Sequence, residues 1–206
     1  MQASARGAML SFMGAGAQPF PAGATWPDFL ALDEDDPREL VDGALLEIDV
    51  PNTKHEWIVA RLIWLLTTWV EARAAGTVLG SGCKVRIDDR RGVMPDVLFV
   101  RRGREAIIGK EGIETGAPDL VVEVGSPKSG RYDRVQKLTW YAAIGVPEYW
   151  IVDPERETLE RLVLGADSRF VIAGSLGGAD VFRPDSFPGL QVALADLWRG
   201  PVPAST

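Results

Sequence analysis

Sulfur and imidazole ligands are almost absent from this chain of 206 residues. It has one cysteine, Cys83, and one histidine, His55. A single cysteine excludes an intramolecular disulfide and a multi-cysteine zinc site, and one histidine does not make up the ligand set that zinc requires. The sequence also lacks any apolar run near the roughly 18 residues of a membrane span. We therefore expect a cytoplasmic protein that needs neither an oxidising compartment nor a membrane.

An excess of basic residues is missing as well, since the formal net charge is −7. Nucleic-acid-binding proteins usually carry a basic surface, so this balance argues against them at first sight. The charge is uneven, however. Residues 84–104 contain seven basic side chains and three aspartates, and residues 126–137 contain four basic side chains and one aspartate. These two stretches are either ordinary solvated surface or a basic rim around a site between them.

The N-terminal 24 residues are rich in glycine and alanine, and we expect a disordered leader there. Translation from Met9 or Met13 is an alternative, and a cleaved signal peptide is a weaker one, because Gly14 breaks its short apolar stretch. The rest of the chain, residues 25–200, has the length of one compact domain. We predict a single folded domain after the leader.

Two acidic residues interrupt apolar segments that are typical of buried strands. Asp96 opens the segment that continues Val-Leu-Phe-Val, and Glu123 lies within Leu-Val-Val-Glu-Val. A buried carboxylate costs several kcal/mol without a partner. If the two strands are neighbours, both carboxylates can bind one hard cation such as Mg²⁺, with the Val124 carbonyl as a further ligand. The pattern predicts metal-assisted hydrolysis of a phosphodiester.

A helix predicted over 131–144 carries Asp133, Lys137 and Tyr141 on one face, because they are spaced by four residues. The Lys137 ammonium could orient an attacking water or stabilise developing negative charge. An ordinary surface ion pair between Asp133 and Lys137 is the alternative. The strand–helix–strand order over 119–153 predicts a parallel crossover, and the hairpin at Asp42-Gly43 predicts that the sheet is mixed.

The order of these motifs resembles one known family. Pro-Asp at position 96 is followed by Asp-Leu-Val-Val-Glu-Val-x-Ser-Pro, by Asp-x-x-x-Lys-x-x-x-Tyr, and by Gly-Val-x-Glu-Tyr-Trp-Ile-Val-Asp-Pro. Over residues 25–198 the chain is similar to the Uma-two family of proposed restriction endonucleases, within the PD-(D/E)XK nuclease superfamily. The resemblance implies a restriction-endonuclease-like α/β fold, with a mixed central sheet flanked by helices, an N-terminal hairpin and a C-terminal β extension.

The resemblance also implies a site. Asp96 and Glu123 match the family's metal-binding acids, and Mn²⁺ is a possible substitute for Mg²⁺. The lysine of the usual Glu-x-Lys motif is replaced by Gly125, so Lys137 on the next helix takes its place. His55 matches a family histidine, although a histidine on an apolar helix face is otherwise more often a core residue. Glu47 is a further candidate acid, with an ordinary strand residue as the alternative.

A long helix is predicted from Thr53 to near Gly76, and Trp57 and Trp64 lie on its polar side. These tryptophans either pack under a loop or meet a second subunit, and we favour a second subunit. Our leading hypothesis is a Mg²⁺-dependent endonuclease acting on nucleic acid, most simply DNA, as a homodimer. The competing hypothesis is an inactive nuclease fold that serves as a binding or assembly module.

Overall fold

The computed structural model describes residues 23–33, 36–47, 51–125 and 133–200, with the backbone alone at 133 and 134. The predicted leader lies outside them except for Gly23 and Ala24, whose amides both donate to the Gly43 carbonyl. Those two residues therefore belong to the folded part. Residues 126–132, which include much of the second basic stretch, also lie outside the described residues.

The described residues form four α-helices and thirteen strands. The helices are α1 (Trp26–Leu30), α2 (Thr53–Arg73), α3 (Leu138–Ile144) and α4 (Leu194–Trp198). The strands are β1 (Arg38–Val41), β2 (Ala44–Glu47), β3 (Gly76–Gly80), β4 (Lys84–Asp88), β5 (Arg91–Val93), β6 (Val97–Arg101), β7 (Gly112–Ile113), β8 (Leu120–Val124), β9 (Glu148–Asp153), β10 (Thr158–Leu164), β11 (Phe170–Gly177), β12 (Val181–Phe182) and β13 (Val192–Ala193). A 3₁₀ turn covers Glu105–Ile107, and a π-helical turn covers Asp133–Lys137 directly before α3.

The central sheet has six strands in the order β11-β10-β9-β8-β6-β3. Within this sheet only β8 and β9 pair in parallel, and the connection between them contains α3, as the predicted crossover requires. The other pairs in this sheet are antiparallel. A second sheet has the order β2-β1-β5-β4-β7, and β12 pairs with β13. The predicted mixed α/β architecture is confirmed.

The two faces of the central sheet bury different partners, because side chains alternate along each strand. Val97 and Phe99 of β6 pack with α2 and with residues 182–198, which we call the C-terminal segment. Leu98 and Val100 of the same strand pack with α3 and the second sheet. The central sheet is therefore covered on both faces, which explains why its strands are nearly all apolar.

The predicted hairpin turns at Asp42-Gly43, where both residues have positive φ, 50° and 81°. This is the conformation that the two-residue turn of a right-twisted hairpin requires. Its register pairs Glu39 with Leu46 and Arg38 with Glu47. Because facing residues share a face and successive residues alternate, Glu39 and Glu47 point to opposite sides of the hairpin.

Helix α2 begins at an Asn52 cap, whose side-chain oxygen accepts from the His55 amide at 2.9 Å. Trp57 is half-buried beside the C-terminal segment, and its indole N–H points to the Asp196 carbonyl at 3.4 Å. Trp57 is therefore packed within the subunit, against α4, and a contact of Trp57 with a second subunit stays a prediction. Trp64 is 55% exposed and stacks with Arg61. Within the described residues, no helix is long and apolar enough to cross a bilayer.

Three short elements differ from the sequence-based expectation. The sequence also predicts a short helix over 103–109, where only the 3₁₀ turn Glu105–Ile107 forms, and a strand over 94–100, which begins only at Val97 as β6. The expected extended C-terminal region contains α4 in addition to two short strands. Elements of two to five residues carry too little periodicity to be recognised before the tertiary contacts that stabilise them are known.

Candidate functional site

Asp96 and Glu123 are brought together by the register of two antiparallel strands. Strand β6 pairs with β8 so that Val97 faces Val122. Asp96 directly precedes Val97 and Glu123 directly follows Val122, so the two acids lie at the same end of this antiparallel pair. The Asp96 Oδ2 atom accepts a hydrogen bond from the Val124 amide at 2.7 Å, which ties the start of β6 to the end of β8. The backbone thus sets the spacing of the two acids.

Lys137 approaches Glu123 from the last residue of the π-helical turn. Its Nζ lies 2.9 Å from Glu123 Oε1, although the lysine is only 4% exposed. One helical turn later, the Tyr141 hydroxyl donates to the same oxygen at 2.6 Å. Burial, and then the charge of Glu123, raise the pKa of Tyr141 well above its usual 10.0. Tyr141 therefore remains a neutral donor.

A third carboxylate, Glu39 of β1, completes the surroundings of Lys137. It is fully buried, and its Oε1 atom lies 3.1 Å from Lys137 Nζ. The same oxygen accepts a hydrogen bond from the Met94 amide at 2.9 Å. The sequence did not single out Glu39, because its partner is almost a hundred residues away along the chain. Its position in an apolar strand beside Leu40-Val41 was the one available signal.

His55 lies in the first turn of α2, and its Nε2 atom is 3.2 Å from Asp96 Oδ1. The histidine is 8% exposed, and within the described residues its Nδ1 atom is buried without a hydrogen-bond partner. Burial lowers the pKa of His55, but the hydrogen bond to Asp96, the charges of Asp96 and Glu56, and a contact with the Val124 backbone outweigh it. The net pKa lies above its usual 6.5. The structure thus brings His55 into the group of predicted site residues.

The cluster of Glu39, His55, Asp96, Glu123 and Lys137 is negatively charged. Three carboxylates and one ammonium carry a formal charge of −2 while the histidine is neutral. Such an excess is costly in a poorly solvated place and favours a bound cation. Among the described residues, no group of three or more His, Cys, Asp or Glu side chains has the arrangement of a ready-made metal site. Mg²⁺ does not require such a group, because proteins commonly hold it by one or two carboxylates together with waters and substrate phosphates.

Two other predicted site residues have different surroundings. Glu47 is exposed, lies opposite Arg38 in the hairpin, and points away from the side that carries Glu39. The structure therefore does not bring Glu47 to the cluster. Val124 contacts the cluster through its backbone. Its amide donates to Asp96, and its backbone also contacts His55. A role for its carbonyl as a metal ligand stays a prediction.

Gly125 occupies the position at which the superfamily pattern has its lysine. Among the described residues, a Cβ atom at this position would meet only the Val152 carbonyl oxygen, at 3.5 Å, which is an ordinary contact. The backbone at this position does not have the positive φ that favours glycine. Neither a close contact at the Cβ position, among the described residues, nor the backbone conformation therefore explains the glycine.

The basic stretch over 84–104 is largely neutralised by neighbouring carboxylates. Arg104 is 2.5 Å from Asp119, and Arg91 is 2.6 Å from Asp42. Lys84 is buried against the end of α1, with its Nζ 3.2 Å from the Leu32 carbonyl. These contacts favour the ordinary structural interpretation for several members of the stretch. The side chain of Asp133, proposed as a partner of Lys137, lies outside the described residues.

Comparison with known proteins assigns this chain to a family. The family model described as "Uma2: Putative restriction endonuclease" matches residues 26–195, which is most of the chain. The chain belongs to the Uma2 family. The predicted family is therefore confirmed, and with it an assignment to nucleases at the level of the family description.

A solved structure supports the fold of this Uma2 member. It is a crystal structure from Anabaena variabilis ATCC 29413, described as "a putative nuclease belonging to DUF820". The two share 19% sequence identity with a TM-score of 0.69, over 85% of this chain and 97% of the other. At this identity the likeness establishes the fold alone. No curated protein matches the chain.

Proposed function

We propose that this Uma2 protein is a Mg²⁺-dependent endonuclease that hydrolyses phosphodiester bonds, with DNA as its substrate. The observation that carries the proposal is the strand register that sets Asp96 and Glu123 at the same end of β6 and β8, with Lys137 2.9 Å from Glu123. Two hard carboxylates can hold the metal ion of a phosphodiester hydrolase, and an adjacent ammonium can stabilise negative charge at the phosphate. The family description supports a nuclease, whereas the metal and the choice of DNA belong to the proposal.

Asp96 and Glu123 would hold Mg²⁺, with Mn²⁺ as a substitute and the Val124 carbonyl as a possible third ligand. When bound, the ion supplies a water of lowered pKa and compensates for negative charge at the phosphate. Lys137 places its ammonium beside Glu123, where it can orient the attacking water or contact a phosphate oxygen. Tyr141 holds Glu123 Oε1, and His55 holds Asp96 Oδ1. These two side chains thus fix the orientation of the acids.

The direct test is cleavage of single-stranded, double-stranded and structured nucleic acids with and without Mg²⁺. We expect metal-dependent cleavage by the wild type, and cleavage reduced to the metal-free level by Asp96→Asn and by Glu123→Gln. These replacements keep the size of each side chain and remove the charged ligand. Melting curves should show that both variants are folded.

A matched control is Asp119→Asn. Asp119 precedes β8, its side chain is 8% exposed, and it is paired with Arg104 rather than with the cluster. Its loss should affect stability and leave cleavage intact. Equal cleavage by the wild type, Asp96→Asn and Glu123→Gln would refute the assignment of the site. Absence of cleavage and of metal binding in the wild type would instead favour the binding or assembly module.

We further propose that the protein acts as a homodimer, because cutting both strands of a duplex requires two sites. The exposed Trp64 indole on α2 is the candidate for a surface between subunits. Sedimentation velocity of the wild type should then give the mass of a dimer, and Trp64→Lys should reduce it to the mass of a monomer. A monomeric wild type at micromolar concentration would contradict this part of the proposal.

A further inference from the structure

Glu39 is a buried acid that joins two separate parts of the site through one oxygen atom. It is 0% exposed and lies on β1 of the second sheet, whereas Asp96 and Glu123 belong to the central sheet. Its Oε1 atom accepts from the Met94 amide at 2.9 Å and lies 3.1 Å from Lys137 Nζ. One atom therefore contacts both the helix that supplies the lysine and the segment that leads into β6.

The contact with Met94 bears on Asp96 because the intervening chain is stiff. Met94 precedes Pro95, which restricts Met94 to extended conformations and fixes the φ angle of the proline itself. Asp96 follows at once. An anchored Met94 amide therefore constrains where the Asp96 carboxylate can lie, two residues further along.

The contact with Lys137 bears on the ammonium, which contacts two carboxylates at similar distances, 3.1 Å from Glu39 and 2.9 Å from Glu123. An ammonium bound by a single carboxylate can rotate about it, whereas one that binds two carboxylates has fewer positions open to it. A buried lysine is also unfavourable as a charged group unless acids surround it. Glu39 thus contributes both orientation and charge.

We infer that Glu39 is a positioning residue of this site, which fixes Lys137 and Asp96 relative to each other. The inference rests on the proposed function, since those two residues are the ones expected to carry the chemistry. Glu39 itself is not expected to bind substrate or metal. The hairpin of β1 and β2, which carries Glu39, therefore contributes to the geometry of the site as well as to the hydrophobic core.

The main test compares Glu39→Gln with the wild type in the metal-dependent cleavage assay. Glutamine can still accept from the Met94 amide but brings no charge to Lys137. We expect kcat to fall by about 10- to 100-fold, the range typical of outer-shell partners of metal sites, while KM stays nearly constant. Glu39→Ala, which removes both contacts, should lower kcat further.

The matched control is Glu148→Gln. Glu148 is 5% exposed and ion-paired with Arg161 at 3.0 Å, so it resembles Glu39 in burial and pairing but lies outside the cluster. It should reduce the melting temperature without changing kcat. If Glu39→Gln and Glu148→Gln lower the melting temperature equally and neither changes kcat, Glu39 is only a structural residue and the inference is overturned.

A double-mutant cycle with Lys137→Ala tests whether Glu39 acts through the lysine. If it does, Glu39→Gln should cause no further loss in the Lys137→Ala background. Losses that multiply instead would show independent effects and would overturn positioning through Lys137.

Failure of the proposed function can be told apart from failure of this inference by NMR of the metal-free protein. Glu39→Gln should move the signals of the Lys137 ammonium, and Glu39→Ala should also move those of the Asp96 carboxyl group, whereas Glu148→Gln should move neither. This result would support the positioning role even if the wild type cleaved no nucleic acid. Unchanged Lys137 and Asp96 signals in both Glu39 variants would refute it, whether or not the wild type cleaves.

Discussion

The oxygen Oε1 of Glu123 accepts from two donors that come from successive turns of the following helix. Lys137 supplies an ammonium and Tyr141 supplies a neutral hydroxyl, both from buried positions. A hydrogen bond to a charged group in such surroundings contributes roughly 1.5–3 kcal/mol. Glu123 is consequently held at one oxygen by strong local contacts, which limits the movement of its carboxylate.

Replacing Tyr141 with phenylalanine isolates this contribution. The variant keeps the packing of the ring against Tyr149, whose centroid is 5.2 Å away, and removes only the hydroxyl donor. We expect the free energy of unfolding to decrease by about 1–2 kcal/mol, measured by urea denaturation without metal. Tyr149→Phe is a control for loss of a buried hydroxyl. An unchanged denaturation midpoint in Tyr141→Phe would show that the bond to Glu123 adds nothing to stability.

Local sequence identified the residues whose surroundings are themselves local. Asp96 and Glu123 were recognisable because each interrupts an apolar strand, and Lys137 because it shares a helix face with Tyr141. Glu39 was missed, and Glu47 was considered in its place because it comes closer to α2 along the chain. The hairpin register separates these two glutamates, and only the contact with Lys137 shows which one faces the cluster.

At the scale of elements, the turn between β9 and β10 depends on Asp153. Its Oδ1 atom accepts from the amides of Glu155 and Arg156, and its Oδ2 atom accepts from the Arg156 guanidinium. Burial raises the pKa of Asp153, but these hydrogen bonds outweigh it and hold the pKa below the usual 3.8. The carboxylate therefore stabilises the turn in its charged form.

This lowered pKa predicts the sign of a pH effect. A group whose pKa is lower in the folded state contributes stability above its unfolded pKa, and that stability is lost as pH falls through the folded value. Asp153→Ala should cost about 1 kcal/mol at pH 7, as the loss of a backbone cap does. It should also flatten the decline in stability below about pH 4. Thermal melts of the wild type and Asp153→Ala from pH 7 to pH 2.5 measure both effects. If the melting temperatures of the two proteins fell equally below about pH 4, the prediction would be wrong.

The longer elements were predictable, and the shorter ones were not. Helix α2 has a cap at Asn52 and a repeating apolar face, and the strands β8 and β9 are long apolar runs. The π-helical turn before α3 was read as ordinary helix, because a change from four-residue to five-residue hydrogen bonding leaves no mark in hydrophobic spacing. Such turns often occur at functional sites, and this one ends at Lys137.

At the scale of the whole molecule, the excess negative charge of the cluster predicts that metal binding stabilises the fold. A ligand at one hundred times its dissociation constant adds about 2.7 kcal/mol, which corresponds to roughly 5–10 °C in a domain of this size. We expect the melting temperature to rise with added Mg²⁺ or Mn²⁺. Asp96→Asn and Glu123→Gln should reduce this rise, and Asp119→Asn should not. A wild type that shows no rise at millimolar metal would refute binding.

The fold class followed from the sequence because the strand–helix–strand order and the hairpin leave few ways to build the sheet. The second sheet did not, because β5 and β7 have only three and two residues. That sheet nevertheless delivers Glu39 to the cluster, so the part of the molecule that was hardest to predict carries one of its buried acids.

The room above Gly125 has a consequence for how such sites evolve. Position 125 directly follows β8, two residues after Glu123, and a Cβ there meets no close contact among the described residues. We therefore expect a lysine to be tolerated at this position while Lys137 is still present on the helix. A chain with both lysines would be an evolutionary intermediate. In it, the site would keep one lysine while the other was lost, so the catalytic lysine could change position without loss of activity. Gly125→Lys should therefore restore part of the cleavage lost in Lys137→Ala, and Gly125→Met, of similar length without charge, should not. No recovery would mean that the two locations are alternatives that single substitutions cannot exchange.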